Sequence, residues 1–162
     1  MRRAKRFRIV VAAAGASAPP ADTSAPASPS ADLEPLARAA FDQAFGTRSV
    51  RQRLAVGRRG AEHEFALHAP GAVIGAIITE RWAGAADPRS GTTSGQDRAS
   101  AELLWLCLWE GRERRVLIAT DLELAQRLVA RYAGCFLPTQ VEVHHCDIAS
   151  GSLYLVGRLG GE

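Results

Sequence analysis

A chain of 162 residues holds one domain of ordinary size, or a smaller one with a tail, and leaves no room for two full domains. Its formal charge of +3 is unevenly divided: residues 1–31 carry Arg2, Arg3, Lys5, Arg6 and Arg8 against Asp22, a balance of +4, and the remainder balances at −1. No apolar run approaches the roughly 20 residues of a membrane-spanning helix, and three cysteines without a CxxC pair point away from a disulfide framework and toward the reducing cytoplasm.

Residues 1–31 are rich in alanine, proline and serine, and almost nothing bulky and apolar follows Val11. Such a segment cannot bury enough surface to fold, so it reads as a disordered basic arm and linker ahead of a single domain at residues 32–162. Met1 to Val11 imitates the start of a signal peptide, but the one small-residue site, Ala16-Ser17-Ala18, is followed by Pro19, which disfavours cleavage.

Asp32 is a candidate N-cap for a helix whose apolar positions, Leu33, Leu36, Ala37, Ala40, Phe41, Ala44 and Phe45, recur at three- and four-residue spacing until Gly46. Val50, Leu54 and Val56 then suggest a short strand. Glu62 to His68 alternates, with His63, Phe65 and Leu67 predicted on one face and Glu62, Glu64, Ala66 and His68 on the other. After the Ala69-Pro70-Gly71 turn, Ala72 to Thr79 is apolar enough for a central strand covered on both faces. Asp87 to Gln96 reads as an exposed loop, and Asp97 or Ser100 opens a helix with the body Ala101 to Trp109, apolar almost all round and so predicted to be well buried. A strand at Arg115 to Thr120, a helix capped by Asp121 and ended by Gly134, a strand at Val141 to His145 and a last one at Leu153 to Leu159 complete the chain. Hairpins followed by strand-helix-strand crossovers predict an α/β fold, a mixed central sheet with helices on both faces.

This order, with the text His63-Glu64-Phe65-Ala66 and, after a Pro-Gly turn, Val73-Ile74-Gly75-Ala76-Ile77-Ile78-Thr79, resembles the PD-(D/E)XK nuclease superfamily, the restriction-endonuclease-like fold whose core runs helix, three strands, helix, strand. The resemblance spans roughly Leu33 to Asp147, and Arg115 to Asp121 is similar to the strand that follows the middle helix there. It implies a metal-binding aspartate at Ala66, a second acid at Ala76 and a lysine at Ile78, so the motif is degenerate at all three positions. Hard divalent cations such as magnesium need oxygen ligands, and methyl groups supply none. The only lysine, Lys5, lies in the arm.

Nearby acids are poor substitutes. Glu64 lies two residues from Ala66, roughly 6.5 Å along a strand, and Glu80 lies four from Ala76, roughly 13 Å, against metal contacts of about 2 Å. A rebuilt site, and magnesium with it, would need Glu64, Glu80 or Glu102, with Arg81 in place of the lysine. The expectation is therefore a pseudoenzyme without a cofactor that binds nucleic acid or a protein partner; the alternatives are a metal-dependent deoxyribonuclease with a displaced site, and a non-enzymatic assembly subunit.

Other constellations are thinner. His144 and Cys146 share a strand face and suit zinc, but they need His68 or another ligand, and ordinary strand-end residues account for them. Gly91-Thr92-Thr93-Ser94-Gly95 has its serine one place late for a nucleophile elbow. Arg48, Arg51, Arg53, Arg58 and Arg59, in a stretch without an acid, are candidate phosphate contacts, and the basic arm adds to them. Trp105 and Trp109 mark their helix as core or as the interface of a homodimer.

Overall fold

The computed structural model describes residues 33–82 and 94–161, so the expectations for the arm, for Asp32 and for most of the Asp87 to Gln96 loop lie outside the described residues. Three helices and six strands follow one another as α1 (Leu33–Phe45), β1 (Val50–Val56), β2 (Ala61–Ala69), β3 (Val73–Ile78), α2 (Gly95–Leu108), β4 (Arg114–Ala119), α3 (Leu122–Tyr132), β5 (Val141–Asp147) and β6 (Ser152–Leu159). The strands form one sheet in sequence order, β1-β2-β3-β4-β5-β6. β1, β2 and β3 meander antiparallel, β3, β4 and β5 run parallel through the crossovers α2 and α3, and β6 returns antiparallel. The α/β expectation, with a mixed sheet and helices on both faces, holds. Among the described residues no helix is long and apolar enough to cross a membrane.

Two apolar layers fix the sheet between its helices. Ala37, Ala40 and Phe41 of α1 pack on Leu67, Val73, Ile77, Val116 and Ile118. On the other face, Leu103 and Leu106 of α2 and Leu124 and Leu128 of α3 pack on Phe65, Ile74, Ile78, Leu117 and Val143. All six residues of β3 are buried, as an apolar run covered on both faces requires.

Three details depart from the sequence reading. β2 does not alternate throughout, because its register with β1 shifts between Val50↔His68 and Gln52↔Phe65. That bulge places two residues, Ala66 and Leu67, opposite Arg51 and reverses the faces beyond it. Phe65 therefore joins the α2 layer while Leu67 and Ala66 pack on the α1 side, and His68 turns back toward Trp109 of the α2 layer. The second departure is the start of α2. Ser94 caps it by accepting a hydrogen bond from the Asp97 N–H at 3.1 Å, while the Ser94 hydroxyl donates to the Asp97 carboxylate at 2.8 Å. Gly95, which reads as a loop residue, is the first residue of the helix, and the position needs glycine because a Cβ there would stand 2.6 Å from the Arg81 carbonyl oxygen. Nor is α2 buried all round: Leu104 and Leu108 are exposed, while Glu102 is buried.

Candidate functional site

The sheet splits between its second and third strands. β2 and β3 pair at only three positions, Leu67↔Gly75, His68↔Ile74 and Ala69↔Val73. Beyond them β2 stays with β1 as far as Ala61↔Val56, and Ala76 to Ile78 stay with β4. Gly75 stands at the last paired position, where a side chain would collide with the Val116 carbonyl oxygen at 2.5 Å. The diverging strands open a cleft of about 290 Å³ with Ala66, Ala76 and Ile77 on its floor.

Charged side chains from α1, β1, β2 and α2 form its walls. Glu34, in the first turn of α1, takes Arg38 one turn on and Arg51 from β1. Arg51 also lies 3.9 Å from Glu64 of β2. On the opposite wall, buried Glu102 of α2 stands 2.8 Å from His63 Nε2 and 3.4 Å from Arg98, and Arg98 reaches Glu80 at 3.9 Å. The His63 ring is held by stacking on Trp105, with centroids 4.6 Å apart and planes at 10°. Glu34, Glu64 and Glu102 are thus matched by Arg51, Arg98, Arg38 and His63, and the cleft is close to neutral.

Of the residues singled out from the sequence, Ala66, Ala76, Glu64, Glu102 and Arg51 come together here. Ile78 does not, since it is fully buried in the layer under α2 and α3. Glu80 touches the cleft only through Arg98. Arg81 lies elsewhere, in a separate cavity of about 570 Å³ beside Trp82, Thr120, Asp121 and His145 at the carboxyl ends of β3, β4 and β5. Glu34, His63 and Arg98 join the cleft without any motif to mark them as site residues. Arg98 and Glu102 are legible in hindsight as a pair one helical turn apart, whereas nothing local announces that Glu34 faces Arg51.

These residues do not fit the divalent cation that the nuclease resemblance implies. The floor supplies methyl groups, each wall carboxylate is engaged by a guanidinium or an imidazole, and among the described residues no three His, Cys, Asp or Glu side chains are arranged to hold a metal ion. The zinc suggestion fails on geometry as well. Buried His144 bonds Glu142 at 3.1 Å and meets Phe45 of α1, whereas His68 lies with Gln52, at 2.7 Å, on the other side of the sheet.

The five arginines divide into two groups. Arg51 belongs to the cleft, and Arg53 stands 3.8 Å from Glu62. Arg48, Arg58 and Arg59 are exposed, and among the described residues no acid comes within ion-pair distance of them. Arg58 and Arg59 form the tip of the β1–β2 hairpin between Gly57 and Gly60, both at positive φ, and the Gly60 N–H closes the turn on the Gly57 carbonyl at 3.0 Å. β1 is an edge strand, where charged side chains also discourage edge-to-edge pairing. The two tryptophans face inward: Trp105 covers His63, and Trp109 meets Phe65 and donates to Glu113 at 2.8 Å.

Family models, curated proteins and solved structures were all compared with the chain, and no significant match was found in any of them.

Proposed function

We propose that this chain is a catalytically silent domain of nuclease-like build that binds nucleic acid. The observation that carries the reading is the cleft itself: at the split in the sheet, where the resemblance calls for a carboxylate pair, stand Ala66 and Ala76, ringed by acids that arginines have already neutralised. Without carboxylates free to hold a cation, no water is activated and no charge on a phosphate is offset. The near-neutral cleft also offers an anionic backbone little attraction, so contact belongs to the exposed hairpin tip, Arg58 and Arg59, with Arg48 and the basic arm in support.

Two measurements test the two halves separately. Plasmid DNA incubated with magnesium or manganese should stay intact; cleavage lost on Glu64→Ala, Glu80→Ala or Glu102→Ala would establish a displaced active site instead. Binding to duplex or single-stranded DNA should weaken with salt, and Arg58→Ala with Arg59→Ala should reduce the slope of log affinity against log salt by about 2. Binding with an unchanged slope removes the hairpin from the interface.

A further inference from the structure

The cleft between β2 and β3 suits a guest without charge. Its cations and carboxylates hold one another, so an ion of either sign gains little by entering. An apolar ligand would strip water from charged walls and return no hydrogen bonds. At about 290 Å³ the cleft lies at the small end of ligand pockets. Its floor offers the methyl groups of Ala66 and Ala76, and on one wall the His63 ring lies flat against Trp105, with centroids 4.6 Å apart.

We infer that the cleft takes a single unpaired nucleobase, one that carries an exocyclic amino group as cytosine and adenine do. This rests on the nucleic-acid reading above and names the part of the polymer that enters. A base is planar, uncharged and lined with hydrogen-bonding groups. Trp105 takes one face of the His63 ring, and a base in the cleft would stack on the other, on an imidazole backed by an indole. Buried Glu102 stands beside that platform. It meets His63 Nε2 at 2.8 Å through Oε2 and Arg98 at 3.4 Å through Oε1, and its two oxygens have lone pairs left for a further donor. A carboxylate accepts from an amino group and repels the keto oxygen that thymine presents at the same edge, as acidic side chains do when they read cytosine.

Placement agrees with chemistry. β2 begins and β3 ends at the same end of the sheet, and the cleft opens toward that end, beyond the last pair, Leu67↔Gly75. The hairpin tip with Arg58 and Arg59 stands there too, directly before Ala61, and Ala61 to Ala66 is roughly 16 Å of strand. A single strand whose phosphates lie on the tip therefore brings a base a few nucleotides away to the cleft, while its charged backbone stays outside. Bases of a duplex are stacked and paired and do not enter.

Equilibrium binding of the full chain to labelled oligo-dC, oligo-dA, oligo-dT and a mixed-sequence duplex, at one salt concentration, tests this. Oligo-dC and oligo-dA should bind about tenfold tighter than the duplex and about fivefold tighter than oligo-dT. Ala76→Leu, which fills the floor and changes no charge, should remove both preferences and leave duplex binding, held by the tip, unchanged. Glu102→Gln keeps the shape and adds a donor, so it should raise the affinity for oligo-dT toward that for oligo-dC, a change of preference that a purely structural role would not produce. Equal binding of oligo-dC, oligo-dT and duplex, or a preference that survives both variants, overturns the base pocket and leaves the hairpin tip in place. Absence of binding to every one of these probes overturns the nucleic-acid reading together with it.

Discussion

The cleft between β2 and β3 and the charged cluster around Glu142 answer the same problem, a carboxylate near the sheet, in two ways. Glu142 on β5 is buried and held by three partners, Arg114 at 2.9 Å, His144 at 3.1 Å and Arg158 at 3.3 Å, with the Arg114 guanidinium lying 4.6 Å over the Phe45 ring. Glu142 is paired on both sides, to Val116 of β4 and Arg158 of β6, and the register with β6 shifts only beyond it, between Val143 and His144. In the cleft, three carboxylates share their cations across a gap that no backbone pairing closes. The difference separates an ion-pair cluster that holds a sheet together from one that lines a cavity, and only the second has room for a ligand.

Breaking the closed cluster should have the larger effect. Glu142→Ala leaves His144 buried and two arginines unpaired; because those arginines are half exposed and rehydrate, the loss should be about 2–3 kcal/mol, at or below the low end for buried pairs, by chemical denaturation. Glu102→Ala in the cleft should lose about 1–2 kcal/mol, since it frees His63 and Arg98 into a solvated void.

The closed cluster should also make the fold sensitive to acid. Burial, and more weakly the guanidiniums of Arg114 and Arg158, pull the His144 imidazole below its usual value of 6.5, against the bond to Glu142. The unfolded chain therefore takes up that proton first, so stability is full above about pH 6.5 and falls as the pH drops below it. For Glu142, burial pushes the carboxyl up, but the bonds from Arg114 and His144 outweigh it and hold the group below 4.5. That contribution is present above about pH 4.5 and is lost as the pH falls through the folded value. His144→Gln should flatten the first decline, between about pH 7 and 5, and leave the second in place; a parent chain equally stable at both ends of that range contradicts this.

A smaller and more selective effect would sharpen the other half of the comparison. Placing carboxylates on the cleft floor, Ala66→Asp with Ala76→Glu, should create a melting temperature that rises with added manganese, because an ion bound only by the folded state stabilises it. The parent chain should show no such rise. Replacing exposed Arg48 with alanine should shift stability by less than about 0.5 kcal/mol, and so serves as the control.

Periodicity and turn chemistry determined a great deal on their own. The face of α1, its stop at Gly46, the Asp121 cap of α3 and the all-buried β3 are local facts, written within a few residues of one another, and the chain alone specifies them. The methyl groups at Ala66 and Ala76 were likewise plain in the text. The tertiary structure decided what those positions face. The bulge in β2 depends on β1, the cleft depends on where β3 leaves β2, and its walls join Glu34 to Arg51 across 17 residues and His63 to Glu102 across 39. Ion pairs at such separations have no sequence periodicity, because nothing but the path of the backbone sets their distance. A strand pattern shows that a residue points up or down, and only the packed sheet shows which neighbour it meets.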